Sequence, residues 1–132
     1  MTKTLTLAAM LPASPERLYD MYLDPKSHAA ITGATVEISG ARGSSFRAFD
    51  GVLEGVMPHT QPKRLIVQSW RSRGWESDDI DSILVLSFYS EGDAARIELV
   101  HANVPVSDYA GVCQGWEKFY WTPWRAYLEE HS

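Results

Sequence analysis

The stretch between residues 107 and 130 limits what this chain can fold into more than any other. Tyr109, Val112, Cys113, Trp116, Phe119, Tyr120, Trp124 and Tyr127 recur at spacings of three and four, the period of one helix face. On a wheel of about 100° per residue they share one broad apolar side, with Lys118, Arg125 and Glu129 opposite. A helix is expected from Ser107, placed after Pro105 as its N-cap, to Glu130, about 36 Å at 1.5 Å per residue. Asp108 suits the positive end of its dipole. Pro123 removes the bond to the Phe119 carbonyl and predicts a kink. A helix with such a face must be covered by something else in the chain.

Residues 34–104 supply the cover. Ala34, Val36 and Ile38 alternate, residues 46–50 and 52–57 follow around Gly51, and 64–71, 81–89 and 95–104 read as three stronger strands. The connectors at 58–63, 72–79 and 91–93 are short and polar, as antiparallel hairpins require. With no helix long enough for a parallel crossover, the expectation is a continuous antiparallel meander. Before it, Leu5, Leu7, Ala9 and Leu11 alternate, which favours a first strand over a secretion signal; only Lys3 supplies positive charge and no small-residue cleavage site follows. Ser14-Pro15 and Asp24-Pro25 open two short helices, the second closed by Gly33. The architecture is therefore α+β, a curved antiparallel sheet with a long C-terminal helix laid across it.

At 132 residues, size scaling gives roughly 21,000 Å² of surface unfolded and about 7,000 Å² folded, enough burial for one self-sufficient domain over 1–132. The net charge of −5 sets a field of the wrong sign for nucleic acid or an anionic membrane. No apolar run is long enough to span a bilayer. Cys113 is the one cysteine and has no partner for an intrachain disulfide or a thiolate metal site. No metal or cofactor is expected, and the expected compartment is the cytoplasm.

The motifs of common catalytic sites are missing: no G-x-S-x-G, H-E-x-x-H, phosphate-binding glycine loop or G-x-G-x-x-G occurs. His28 reads as a surface or half-buried residue of the second short helix. Five tryptophans (70, 75, 116, 121 and 124) exceed what a core of this size needs and could wall a pocket. Alternation along 95–104 turns Ile97, Leu99, His101 and Asn103 to one face, towards the helix. There His101 and Asn103 are either a satisfied core pair or a ligand-orienting one. Glu117 reads as a rim carboxylate. Gly111 and Gly115 each cost about 1 kcal/mol against Ala inside a helix, which suggests close approach of another segment.

Several segments, taken in order, carry a family resemblance: His28-Ala29-Ala30-Ile31-Thr32-Gly33-Ala34, Phe46-x-x-Phe49-Asp50-Gly51, Arg64-Leu65-Ile66-Val67-Gln68-Ser69-Trp70-Arg71, Val104-Pro105 and Gly115-Trp116-x-x-x-Tyr120-Trp121-x-Pro123. The chain resembles the activator of ninety-kilodalton heat-shock-protein ATPase homologue family, in the START-like (SRPBCC, Bet v-type) helix-grip superfamily. It departs from that pattern at Gly43-Ser44-Ser45, Val56-Met57-Pro58-His59 and Ala95, which bears on hairpin shape. The resemblance implies a sheet gripping the C-terminal helix around an apolar cavity. The candidate ligand-binding set is Phe49, Trp70, Ile97, Leu99, His101, Asn103, Val112, Trp116, Glu117 and Tyr120. The expected function is a soluble binding module for a small apolar or amphipathic molecule. The alternatives are a cyclase or hydratase using His101 with Glu117 or Tyr120, and a co-chaperone-like partner-binding module. Exposed aromatics such as Trp75 would suit a homodimer.

Overall fold

A computed structural model describes residues 1–131. Strand β1 (Thr2–Leu11) leads into helices α1 (Pro15–Leu23) and α2 (Pro25–Thr32). Strands β2 (Ser45–Ala48), β3 (Leu53–Val56), β4 (His59–Gln61), β5 (Leu65–Ser72), β6 (Ser82–Glu91) and β7 (Ala94–Pro105) follow. The chain ends in a 3₁₀ turn (Val106–Asp108), α3 (Tyr109–Gly115), a π-helical stretch (Trp116–Trp121) and α4 (Thr122–Glu130). Among the described residues no helix is long and apolar enough to cross a membrane.

The described strands form one antiparallel sheet of seven, ordered β1-β7-β6-β5-β3-β2, with β4 also on β5. It is a meander closed by its first strand, because β1 returns to pair with β7 from Thr2↔Pro105 to Leu11↔Ala95. Leu5, Ala9 and Leu11 are buried while Thr4, Thr6, Ala8 and Met10 are exposed, the alternation of a half-buried strand. Ile66, Leu84, Leu86, Ile97 and Leu99 extend the same inner face, all essentially inaccessible.

Two sequence expectations change here. Residues 34–38 make only an isolated bridge, Glu37↔Arg47, although Val36 and Ile38 are buried. Their alternation reflects packing without a ladder. Conversely, the polar connector expected at 58–63 contains β4, a three-residue edge strand paired His59↔Val67 to Gln61↔Leu65.

The short helices are built as their caps predict. The Ser14 hydroxyl accepts from the Arg17 amide at 3.2 Å, and Asp24 accepts from the Ser27 amide at 3.0 Å. Gly33 closes α2 at φ 76°, a conformation that favours glycine. Gly55 answers a different need: a Cβ there would lie 1.9 Å from the Ser69 carbonyl oxygen, so only glycine lets β3 cross so near β5.

The C-terminal helix covers the inner face but starts and bends differently from expectation. Ser107 makes no cap, and neither the 3₁₀ turn nor α3 has a side-chain cap. Pro123 sits in the first turn of α4, where its missing N–H is tolerated. The disturbance expected at the proline is drawn out over the preceding turn, where the Thr122 amide reaches five residues back to the Glu117 carbonyl.

Candidate functional site

Where α3 and the π-helical stretch pass over β3 and β5, the helix stands off the sheet and leaves a cleft of about 340 Å³. Phe49 and Val52 come from the β2–β3 turn, Leu53 from β3, and Trp70 and Ser72 from β5. The helical side contributes Asp108, Gly111, Val112, Gly115, Trp116, Phe119 and Tyr120. The expectation that Gly111 and Gly115 mark the close approach of another segment is corrected, since a Cβ on Gly111 would meet only the Asp108 carboxylate of the preceding turn, at 3.0 Å. A Cβ on Gly115 would meet nothing nearer than the Phe119 ring at 3.6 Å. These glycines make room for the cleft. Val52 and Phe119, 42 % and 45 % exposed, mark its mouth.

The turn that carries Phe49 is unusual. Phe49, Asp50 and Gly51 have φ of 52°, 57° and 89°, three left-handed residues in succession, two of them with side chains. A bulky residue held there costs on the order of 1–3 kcal/mol. The result is a phenyl ring held edge-on to Phe119 and Tyr120, with centroids at 5.6 and 6.0 Å.

Of the residues singled out from sequence, Phe49, Trp70, Val112, Trp116 and Tyr120 meet in the cleft lining. Ile97 and Leu99 are fully buried in the packed sheet face and lie outside it. Asn103 falls out of phase. A bulge between the pairs Lys3↔Val104 and Leu5↔His101 puts it at φ 65°, and Val104 takes the buried position instead. Glu117 is exposed, with Thr122 Oγ1 3.4 Å from its carboxylate. Trp75 is half-buried, its ring 5.6 Å from that of Trp70 and its Nε1 donating to Asp108 Oδ2 at 2.7 Å. It is not the free aromatic that a dimer contact would use.

Two buried histidines flank this region, and their partners fix their tautomers. The Ser82 hydroxyl donates to the Trp70 carbonyl at 2.6 Å, so at 2.8 Å from His101 Nε2 it must accept. That puts the proton on Nε2 and leaves Nδ1 to accept from Trp116 Nε1 at 3.3 Å. His28 is the mirror case. Its Nδ1 faces the Tyr22 carbonyl at 2.8 Å and must donate, so Nε2 accepts from the Tyr120 hydroxyl at 2.9 Å. The sequence reading of His28 as a surface or half-buried residue is thus overturned, since it is completely buried. Its partner Tyr120 is 92 residues away, beyond any local pattern. Burial pushes both imidazoles down to about 4 and the Tyr22 and Tyr120 phenols up. Both histidines are neutral with both nitrogens engaged, and no described hydrogen bond joins His101 to Glu117. The Tyr120 proton is likewise committed to His28. His101 therefore has no hydrogen bond to either expected assistant, Glu117 or Tyr120, among the described residues.

Beyond these networks, Tyr22 donates to Gln68 Oε1 at 2.8 Å. Gln68 Nε2, Trp70 Nε1 and Trp124 Nε1 are buried without a partner.

Comparison with known proteins places this arrangement. The family described as "Activator of Hsp90 ATPase homolog 1-like protein" matches residues 12–129. An "Activator of 90 kDa heat shock protein ATPase homolog" of Dictyostelium discoideum is 27% identical over 118 residues, 89% of this chain and 30% of that protein. The chain spans about a third of the length of the curated relatives it matches. Among solved structures, PFC0360w, an HSP90 activator from Plasmodium falciparum, superposes with a TM-score of 0.78 at 21% identity, covering 89% of each chain. MLL2253 from Mesorhizobium loti gives 0.85 at 16% identity, covering 98% of this chain and 99% of that one. At such identities the structures show a shared helix-grip fold.

Proposed function

The chain belongs to the Activator of Hsp90 ATPase homolog 1-like family, and from that premise we propose that it is a binding module for a small apolar or amphipathic molecule held in the cleft between α3 and the sheet. The observation that carries this reading is the pair Gly111 and Gly115, which leave aromatic walls facing open volume where larger residues would close it. About 340 Å³ is at the small end of ligand pockets, roughly 300–1,000 Å³, and the mixture of mostly apolar lining with few polar groups is typical of them. The ligand is read as bound and released unchanged, because the two buried histidines and Tyr120 are already held in hydrogen bonds within the protein.

Titration with the neutral probe N-phenyl-1-naphthylamine tests the reading. Saturable fluorescence enhancement is expected, and it should be lost in Gly115→Leu, which fills the cleft, but kept in Lys118→Ala on the exposed helix face. Absence of binding, or equal binding by Gly115→Leu, would overturn it. Family membership also favours a partner-binding reading, in which the exposed Phe119 and Val52 contact a chaperone ATPase. Pull-down with that ATPase would support it only if Phe119→Ser abolished capture.

A further inference from the structure

We propose that the cleft, taken as the ligand site argued above, selects organic cations: an aryl or alkyl body carrying an ammonium group that pairs with the Asp108 carboxylate. Asp108 is the one charged residue in the cleft lining. An aspartate at the start of a helix ordinarily caps it, yet this one makes no cap hydrogen bond. Instead Trp75 Nε1 holds Oδ2 at 2.7 Å, which fixes the carboxylate and leaves Oδ1 with no hydrogen bond among those described. Oδ1 lies 3.0 Å from where a Cβ on Gly111 would stand. Gly111 thus keeps open the space beside that oxygen, at a cost in helix propensity.

An ionised carboxylate only accepts, so the group that satisfies Oδ1 must donate, and a positive donor does so best. The aromatic side chains that share the lining, Trp70, Trp116 and Phe49, favour the same sign wherever they present a ring face, because ring faces attract cations. Two basic groups lie outside the lining. The Arg73 guanidinium is 3.1 Å from a Cβ built on Gly51, and Lys118 Nζ is 5.3 Å from the Phe119 ring centroid. Both residues are exposed at the rim, where solvent and salt screen them more than the half-buried Asp108. A net charge of −5 adds a long-range preference for cations.

The experiment compares three ligands with the same body: 4-phenylbutylammonium, 4-phenylbutanol and 4-phenylbutanoate, each titrated by calorimetry at neutral pH. The expected order is ammonium, then alcohol, then carboxylate, with about five- to tenfold between ammonium and alcohol. Asp108→Asn should bring the ammonium-to-alcohol affinity ratio down to about one, since an asparagine oxygen can still accept from Trp75 Nε1 while the negative charge is gone. The order among ligands in the unaltered protein decides the matter even if that variant folds poorly. Equal affinities for ammonium and alcohol would overturn the head-group assignment and leave the cleft reading standing. Tightest binding of the carboxylate, abolished in Arg73→Gln/Lys118→Gln, would overturn it in favour of the rim. Binding of none of the three would overturn both.

Discussion

The same helix lies on the same sheet at both of its ends, yet one end is closed and the other open. At the α4 end, Trp124 and Leu128 are 1 % and 0 % exposed, and α4 packs on α2 and β1. At the α3 end the corresponding surface carries Gly111 and Gly115, and a cleft replaces the packing. One continuous helix spans both ends, and the small Gly111 and Gly115 leave the α3 end open where Trp124 and Leu128 fill the α4 end. Two buried histidines stand behind the open end, each paired with a residue of the cleft wall. His28, against Tyr120, and His101, against Trp116, are each fully paired and neutral.

Acid should break the packing behind the open end. Each imidazole is pushed down to about 4 in the folded chain and returns to an ordinary 6.5 or so when unfolded. Between those values the unfolded chain binds protons that the folded chain refuses. Stability is then whole above about pH 6.5 and falls as the pH drops towards 4, by on the order of 3 kcal/mol for each histidine. Urea melts at pH 7, 5.5 and 4.5 measure this. A histidine whose NMR titration midpoint lies near 6.5 would show that its site admits water.

Trp124→Ala attacks the closed end alone. It should cost about 3–5 kcal/mol, trimmed because the lost indole N–H has no partner. Probe affinity at the open end should persist below the lowered melting temperature. Leu99→Phe tests whether the packed sheet face beneath the helix hides further volume. Leu99 is inaccessible and outside the cleft lining, so overpacking by about 1–3 kcal/mol with unchanged probe binding is expected. A neutral or stabilising result would mean that the cleft extends under the helix. The smallest effect separates the two glycines. Gly115→Ala meets only ordinary contact and should stabilise by up to about 1 kcal/mol. Gly111→Ala should gain nothing, because its methyl must displace the Asp108 carboxylate. Thermal melts of the two variants side by side resolve the difference.

The parts legible in the sequence were those governed by local period. Strands β5 to β7 and the apolar face of the last helix follow from alternation and from three-four spacing, because each residue's side is set by its neighbours. Residues 34–38 misled for the same reason: burial alternates there, but only one bridge forms. β4 was missed because His59-Thr60-Gln61 is short and polar, and its pairing comes from β5. The cleft was half legible. Periodicity identified which side chains of the helix face the sheet, hence Val112, Trp116 and Tyr120. It could not tell that Leu99 is packed while Gly115 is not, since that depends on opposing volumes. Nor could spacing reveal the bulge that turns Asn103 out of phase or the long-range contact that buries His28.

The π-helical stretch at Trp116–Trp121 has one more consequence, best seen as an accounting of residues along the axis. Widening one turn to five-residue bonds accommodates an extra residue relative to a regular helix. Deleting one residue from this stretch, for instance Lys118, would let the helix regularise and improve its backbone bonding. Trp124 and Leu128 would stay on the sheet, whereas an added residue would rotate everything downstream by about 100° and carry them off it. The irregular turn works as a phase shifter, letting a single helix face an open cleft at one end and a solid core at the other. Through this segment the chain should therefore tolerate the loss of one residue far better than the gain of one.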